Sequence, residues 1–278
     1  MSFADINGIK LCYEIYGREN NISIILIHGF GAKKEIWNSQ VGALSKKFKV
    51  ITFDIRGSGK SDRPNEPYTM EMFADDIKGL IDYLNIKKVH LIGRSLGGMI
   101  AQHFALKYPE RLNKLVLITT NPGMPDEQGA EMLKESYIEG LKRLKEDPVK
   151  EFWQKSRVLY YKEFRKQMEA NPKKKFHGIW SVEDRIRENT IDPPTPQDIE
   201  NRAHAIAKHN TLERLSEIKN KTLLLGASHD RLTPKSSMVE MHKRIPNSVL
   251  KIIDKAGHFM TLSRAPEINK IILDFLEN

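Results

Sequence analysis

Short apolar runs alternate with segments of helical periodicity along most of the chain. In the first two runs apolar and polar residues alternate, and Asn7-Gly8 between them is the residue pair best suited to a two-residue hairpin turn. Six later runs are almost continuously apolar, which is typical of parallel strands buried on both faces. The predicted strands are residues 2–6, 9–16, 22–28, 49–54, 88–93, 114–119, 222–225 and 249–253.

Helices are predicted between several of these strands, where apolar residues recur every three or four positions. They cover residues 70–84, 96–108, 235–245 and 266–276. Strands that alternate with helices are typical of a parallel sheet with right-handed crossover connections. The sequence therefore predicts an α/β fold, with a mostly parallel central sheet flanked by helices.

Between about residues 121 and 210 the chain has no convincing strand pattern. Apolar residues recur there at helical spacing, first as Met132, Tyr137, Leu141 and Leu144, then as Phe152, Tyr160, Phe164 and Met168. Thr195 or Pro196 is expected to begin the last helix of the segment. We interpret residues 121–210 as a helical cap inserted into a core of residues 1–120 and 211–278. Its apolar stripes are interpreted as packing, and the cap would cover a site at the loop end of the sheet.

Composition indicates the size of the core and the cellular location of the protein. With 278 residues and 40% hydrophobic content the chain can bury a sizeable core. The single cysteine, Cys12, excludes an intrachain disulfide and fits a reducing, cytoplasmic location. The first residues have neither a basic nor an apolar leader region, and no apolar run approaches the length of a membrane span. A soluble protein that is not exported is expected.

The net charge of +9 raises the question of a nucleic-acid partner. The excess of basic residues is spread along the chain, and the only tight run, Lys173-Lys174-Lys175, is typical of a solvated loop. No nucleic acid and no membrane are therefore expected as partners. A small-molecule substrate is expected, and a homodimer is left open.

The strongest chemical signal is Gly93-Arg94-Ser95-Leu96-Gly97, a G-x-S-x-G motif between a predicted strand and a predicted helix. In that context the serine lies on a sharp, strained turn that lifts its hydroxyl above the sheet. Gly93 and Gly97 are needed there because side chains would collide with the neighbouring strand and helix. The helix N-terminus next to Ser95 favours negative charge. Ser95 is the predicted nucleophile.

A serine nucleophile needs a base and a carboxylate that orients it, in the chain order Ser, Asp, His. Asp230 and His258 each lie just past a predicted strand, so their side chains are expected to converge with Ser95 at one edge of the sheet. Asp254 is closer to His258 in sequence but is the less favoured acid. Three other histidines are rejected as the base: His90, His103 and His229.

The sequence His28-Gly29-Phe30-Gly31 follows another predicted strand. Its glycines would let backbone N–H groups turn toward a developing oxyanion, and we expect the N–H groups of Phe30 and Leu96 to form this oxyanion hole. His28 is expected to brace the loop by hydrogen bonding.

Arg94, next to the nucleophile, carries a charge that requires a partner. The favoured interpretation is an ion pair with Asp54 or Asp62. The alternative is a clamp for a carboxylate-bearing substrate.

These motifs resemble the α/β-hydrolase superfamily, and within it the 3-oxoadipate enol-lactonase-like hydrolases, esterases and cofactor-free perhydrolases. The resemblance spans nearly the whole chain. The chain departs from the family pattern at Arg94 and Ser58, where histidine is usual, and these departures concern the substrate. The matching segments are His28–Gly31, Trp37–Gln40, Val50–Asp62, Gly93–Gln102, Tyr108–Arg111, Gly257-His258 and Pro266-Glu267.

The resemblance implies a serine hydrolase that cleaves carboxylic esters or lactones of small to medium size. Perhydrolysis or carbon–carbon bond cleavage would use the same triad, and a ligand receptor on the same fold is the alternative of another class. A serine at the nucleophile position argues against dehalogenase and epoxide-hydrolase relatives, which carry aspartate there.

Cofactor motifs are incomplete in this sequence. Gly59-Lys60-Ser61 lacks the first glycine of a phosphate-binding loop, and a turn-rich segment replaces the helix that should follow it. Gly29-Phe30-Gly31 lacks the third glycine of a dinucleotide-binding motif, and the histidines have no metal-ligand spacing. Neither a cofactor nor a metal is expected.

Overall fold

The computed structural model describes residues 1–123 and 127–278. An eight-stranded sheet lies at its centre, with the strand order β1-β2-β4-β3-β5-β6-β7-β8. β2 pairs antiparallel with β1 and β4, and the other neighbours are parallel. The strands are β1 Ser2–Ile6, β2 Ile9–Tyr16, β3 Ser23–Ile27, β4 Lys49–Phe53, β5 Val89–Arg94, β6 Leu112–Ile118, β7 Lys221–Ala227 and β8 Ser248–Ile253.

The predicted α/β class and the mostly parallel sheet are confirmed. The predicted hairpin is present as well: Ile6 pairs with Ile9, and both turn residues, Asn7 and Gly8, have positive φ (50° and 78°). A turn with two positive φ values matches the twist of the flanking strands, which is why Asn-Gly is favoured there.

Successive strand residues face opposite layers of the core. In β3, Ile25 and Ile27 belong to one buried cluster and Ile24 and Leu26 to the other. Both faces of the sheet are therefore covered, which explains the continuous apolar runs. Helices cover the sheet: α1 Asn38–Leu44, α2 Met70–Tyr83, α3 Leu96–Lys107, α9 Lys235–Arg244, α10 Met260–Ser263 and α11 Ala265–Glu277.

Five helices follow β6 before the chain returns to β7: α4 Glu127–Glu146, α5 Pro148–Leu159, α6 Lys162–Ala170, α7 Val182–Thr190 and α8 Pro196–Ala207. The expected start of the last one is confirmed, because Thr195 caps α8 and accepts a hydrogen bond from the Asp198 N–H, and Pro196 is its first residue. Residues 124–126 of the predicted cap lie outside the described residues, and its bounds stay a prediction.

Two expectations within these helices were wrong. The stripe from Phe152 to Met168 is divided between α5 and α6, which are separated at Tyr160 and Tyr161. Met132 was assigned to packing but is 69% exposed, so the buried face of α4 begins elsewhere. Spacing alone could not locate a break between two helices of similar periodicity.

Cys12 lies in β2 with no solvent exposure, beneath the loop that follows β4. Burial raises the pKa of its thiol to about 11. Among the described residues no helix combines the length and the apolar character that a membrane crossing requires.

Candidate active site

Ser95 occupies the turn between β5 and α3 with φ 56° and ψ −122°, a conformation that costs energy for any residue with a side chain. Its backbone is held from several sides. The Ser95 N–H donates to the Ile118 carbonyl at 3.0 Å, and its own carbonyl accepts from the Gly98 N–H and from the Thr120 hydroxyl, both at 2.8 Å. The strain is thus maintained by the surrounding structure.

The two glycines of the motif are required by close backbone contacts. A Cβ on Gly93 would lie 2.2 Å from the Gly97 carbonyl oxygen, and a Cβ on Gly97 would lie 2.1 Å from the Ile27 carbonyl oxygen. No real Cβ approaches backbone atoms so closely, so any larger residue would displace the turn that carries Ser95.

Asp230 and His258, which follow β7 and β8, lie in direct contact. His258 Nδ1 is 2.8 Å from Asp230 Oδ2, and both side chains are almost fully buried. The same carboxylate accepts hydrogen bonds from the Leu232 N–H at 2.8 Å and from the Thr233 N–H and hydroxyl at 3.0 and 2.7 Å. Burial opposes ionisation, but His258 and these donors hold the pKa of Asp230 below its usual range. A buried carboxylate therefore faces Nδ1 and leaves Nε2 as the free ring nitrogen.

The other residues that were weighed for these roles have different partners. The carboxylate of Asp254 accepts from the Ser228 hydroxyl at 3.3 Å, and that hydroxyl also lies 2.7 Å from His229 Nδ1. His90 accepts from the Lys114 N–H, and His103 lies 3.1 Å from His209.

Two consecutive threonines after β6 link the main chains of Ser95 and His258. The Thr119 hydroxyl donates to the His258 carbonyl at 3.3 Å, and the Thr120 hydroxyl donates to the Ser95 carbonyl. Within the described part of the chain no hydrogen bond joins the Ser95 hydroxyl to His258. Such contacts are often long in the absence of substrate. The sequence did not indicate a role for either threonine. The only signal was the presence of two hydroxyl side chains directly after an apolar run.

The loop after β3, which carries the Phe30 N–H, lies against the turn of Ser95, because a Cβ on Gly29 would lie 3.1 Å from the Ser95 Cβ. The first N–H of α3, that of Leu96, follows Ser95 directly. No hydrogen bond among the described residues uses either N–H group, as an oxyanion hole requires. His28 joins this loop to the segment after β4, since its Nδ1 donates to the Gly29 carbonyl at 3.0 Å and its Nε2 accepts from the Ile55 N–H at 3.2 Å. Burial lowers the pKa of His28 to about 3, so the ring stays neutral.

Tyr137 of α4 also holds this loop. Its hydroxyl donates to the Phe30 carbonyl at 3.2 Å, and the two rings meet edge to face with centroids 4.7 Å apart. A Cβ on Gly31 would lie 2.2 Å from the Tyr137 ring. The inserted helices are therefore in contact with the loop that carries one of the two candidate oxyanion donors.

A partly open cavity of about 100 Å³ separates the inserted helices from the loops at the carboxyl ends of the strands. Phe30 and Phe259 form part of its wall on the side of the sheet, whereas Ser95 and His258 are not wall residues. Phe30 follows Gly29, which lies against Ser95, and the rings of Phe259 and His258 are 6.0 Å apart, so the cavity adjoins the candidate catalytic groups. Its wall on the opposite side is formed by Tyr137, Leu141, Leu144, Phe152, Leu159 and Tyr160.

The favoured interpretation of Arg94 was wrong. Asp54 is engaged by Lys34, and Asp62 accepts from the Lys10 N–H, so neither pairs with Arg94. The guanidinium is 2% exposed and lies over the ring of Phe259, with Cζ 4.1 Å from the ring centroid. Its Nε and Nη1 have no hydrogen-bond partner among the described residues. Burial lowers the pKa of Arg94 to about 10, which leaves it charged at neutral pH.

Arg202 of α8 is a second fully buried guanidinium, and it was missed from the sequence. It donates to the Ser58 hydroxyl at 2.6 Å and to the Asp198 carbonyl at 2.9 Å, and its Nη2 has no partner among the described residues. Burial lowers its pKa to about 10. In the described part of the chain no group of side chains is suited to hold a metal ion.

Comparison with known proteins gives consistent results. A family described as having the α/β-hydrolase fold matches residues 22–148, and a family described as TAP-like protein matches residues 204–278. The RutD protein of Caulobacter sp. strain K31, whose name proposes carbamate hydrolysis, is 26% identical over 96% of this chain and 95% of its own length.

Two solved structures share the fold over the full length of this chain. The enol-lactonase of Burkholderia xenovorans LB400 superposes with a TM-score of 0.83 at 24% identity, covering all of both chains. A thermophilic esterase of Thermogutta terrifontis has a TM-score of 0.83 at 25% identity, covering all of this chain and 98% of the esterase.

Proposed function

This chain is a hydrolase with the α/β-hydrolase fold, and on that premise we propose that it cleaves carboxylic esters or lactones through Ser95, His258 and Asp230. The observation that carries the proposal is the strained backbone of Ser95 (φ 56°) together with the 2.8 Å contact between His258 and a buried carboxylate. Strain of this kind persists where function requires it, and the buried pair supplies an oriented base.

Acylation is the first half of the proposed reaction. His258 Nε2 takes the hydroxyl proton as Ser95 Oγ forms a bond to the substrate carbonyl carbon. The N–H groups of Phe30 and Leu96 donate to the resulting oxyanion, and Asp230 stabilises the protonated imidazole. The oxyanion then collapses, and His258 gives its proton to the departing alkoxide. An acyl group remains on Ser95.

Deacylation repeats the sequence with water. His258 removes a proton from the water as its oxygen attacks the acyl carbon, and the same proton returns to Ser95 Oγ when the acyl bond breaks. The products are a carboxylic acid and an alcohol, or one hydroxy acid from a lactone. We propose substrates of small to medium size, because the wall of the cavity is largely apolar with a few polar groups.

The proposal is tested by covalent trapping and by turnover. A fluorophosphonate probe should add to wild-type protein once, at Ser95 as located by peptide mass spectrometry, and should not add to Ser95→Ala. A panel of aryl esters, aliphatic lactones and carbamates should show multiple turnovers on esters or lactones. Labelling at another residue, or turnover by Ser95→Ala, would contradict the assignment, and a single cycle without turnover would favour a receptor.

A further inference from the structure

Arg94 and Arg202 are buried cations that do not form an ion pair within the described residues. Arg94 is 2% exposed and Arg202 is fully buried. Three of their guanidinium nitrogens have neither solvent contact nor a hydrogen-bond partner among those residues: Nε and Nη1 of Arg94 and Nη2 of Arg202. Buried charges are normally paired, because the loss of hydration must be compensated. Arg202 lies on the wall of the cavity and Arg94 lies behind the wall residue Phe259, so two cations without an ion pair among the described residues would suit an anionic ligand there.

Among the described residues, most carboxylates around the cavity form ion pairs with cations other than Arg94 and Arg202. Four lie on its wall. Asp192 is the exposed one, and the other three form ion pairs: Glu35 with Lys34, Glu151 with Arg143 and Lys155, and Glu188 with Lys33. The carboxylate of Asp198, one helical turn before Arg202, forms an ion pair with Arg63 at 2.7 Å. None of these groups forms an ion pair with either buried guanidinium, although the charge of Asp198 opposes the lowering of the Arg202 pKa by burial.

Both arginines lie beside the candidate catalytic groups. Arg202 is a wall residue of the cavity, and its Cζ is 5.5 Å from the ring centroid of Phe30, whose N–H is a candidate oxyanion donor. Arg94 Nη2 lies 3.5 Å from the position that a Cβ on Gly29 would take, and its guanidinium stacks on Phe259. Both guanidiniums therefore lie beside the loop that carries the Phe30 N–H.

We propose that the enzyme is selective for esters or lactones that carry a carboxylate a few atoms from the reacting carbonyl, and that Arg202 and Arg94 bind this carboxylate. The inference rests on the proposed function and adds its substrate class. Guanidinium groups suit the role because their N–H fork matches carboxylate geometry. Arg185, half-buried on the cavity wall, adds positive charge to the same region.

A purely structural role for Arg202 is the alternative, since it joins α8 to Ser58. The two roles differ in what a substitution should affect. A structural role predicts equal losses for every ester, whereas carboxylate binding predicts a loss confined to anionic esters.

The test compares mono-p-nitrophenyl glutarate with its neutral isostere, in which an isopropyl group replaces the carboxylate. Wild-type kcat/KM should favour the anion by about 10- to 100-fold. Arg202→Gln and Arg94→Gln should each lower kcat/KM for the anion about 10-fold or more and leave the neutral ester within about 3-fold. Arg202→Lys should restore part of the preference. Arg214→Gln is the matched control and should leave both esters unchanged, because Arg214 is an exposed guanidinium that pairs with Glu217 and does not line the cavity.

Binding without catalysis separates this inference from the proposed function. Free glutarate should raise the unfolding temperature of both wild-type and Ser95→Ala protein, but not that of Arg202→Gln. A wild-type preference for the neutral ester, or equal losses for both esters in the arginine variants, would overturn the inference and leave the proposed function intact. Glutarate binding without hydrolysis of either ester would overturn the proposed function instead.

Discussion

Nδ1 of His258 lies 2.8 Å from the carboxylate of Asp230, although 28 residues separate them, whereas the nearer Asp254 is bonded to Ser228. Both aspartates follow parallel strands, but Asp230 lies after β7, with its carboxylate turned toward His258 and held by Thr233. Which aspartate contacts His258 is therefore determined by how the loops after β7 and β8 turn, not by distance along the chain.

Replacing the two aspartates should have very different effects. Asp230→Asn should lower kcat for an activated ester about 10⁴-fold, by analogy with the serine-protease triad, because an amide no longer stabilises the protonated imidazole. Asp254→Asn, the matched control, should leave kcat within about 3-fold. Steady-state kinetics on one aryl ester measures both. A larger loss in Asp254→Asn would mean that the acid is misassigned.

Substitution of Ser95 should remove activity without harming stability. Ser95→Ala should abolish hydrolysis and leave the free energy of unfolding within about 1 kcal/mol of wild type, because the hydroxyl contributes little packing. Ser95→Gly should be inactive and at least as stable as Ser95→Ala, since glycine relieves a φ of 56° that costs other residues about 1–3 kcal/mol. Urea unfolding at equilibrium gives these free energies. A glycine variant clearly less stable than the alanine variant would show that Ser95 is not strained.

Gly97, two residues after Ser95, should not tolerate a methyl group. Gly97→Ala would place Cβ 2.1 Å from the Ile27 carbonyl oxygen, so we expect the turn to be displaced and hydrolysis to fall below detection. Gly42→Ala is the control, because a Cβ on Gly42 in α1 meets nothing within 4 Å. That variant should be about 0.5–1 kcal/mol more stable than wild type and fully active. Full activity in Gly97→Ala would contradict the described turn.

Stability should fall in acid because buried histidines are neutral in the folded state. Burial lowers the pKa of His90 to about 4, from an ordinary value of 6.5. Between these values the unfolded chain binds a proton that the folded protein excludes, so stability is greatest above pH 6.5 and decreases as the pH falls toward 4. The loss is up to about 1.4 kcal/mol per pH unit for this residue.

His90→Gln isolates that contribution, since glutamine can still accept from the Lys114 N–H. Between pH 4 and 6.5 the unfolding free energy of the variant should change less with pH than that of wild type. The two slopes should differ by up to ~1.4 kcal/mol per pH unit. Urea titrations at several pH values provide the comparison. Parallel curves for the two proteins would show that His90 titrates normally in the fold. His28 and His209, whose pKa values burial lowers to about 3, should keep the variant acid-sensitive.

Tyr137→Phe should show how far α4 stabilises the loop after β3 that carries Phe30. Loss of the hydrogen bond to the Phe30 carbonyl should lower kcat about 3- to 10-fold with little change in KM, because the Phe30 N–H is proposed to stabilise the transition state. The edge-to-face ring contact remains in this variant. An unchanged kcat would mean that Gly29 and His28 fix the loop without help from α4.

Much of the fold was predictable because its signals are local. Each core strand needed only apolar residues between turns, and Asn7-Gly8 defined a hairpin by itself. α1 was missed because it spans only the seven residues Asn38–Leu44. The break at Tyr160 was missed because two short helices on one surface keep a common periodicity.

The site was harder to predict where it depends on contacts between distant residues. Ser95, Asp230 and His258 each stand beside a strand, so sequence could nominate them, although their catalytic roles stay a proposal. The environment of Arg94 depends on its contact with the ring of Phe259 and on the ion pair between Lys34 and Asp54. No sequence motif indicates either contact. Arg202 carries no local motif at all.

The single thiol of this protein is a built-in reporter of global unfolding. Cys12 has no solvent exposure, and its raised pKa keeps it protonated at neutral pH, so a thiol-specific reagent should react only with molecules whose central sheet has opened. The labelling rate in native buffer would then measure how often β2 separates from β1 and β4. A cysteine introduced on the surface would be the only other thiol to react, so a dye could be placed on α4 without first removing Cys12.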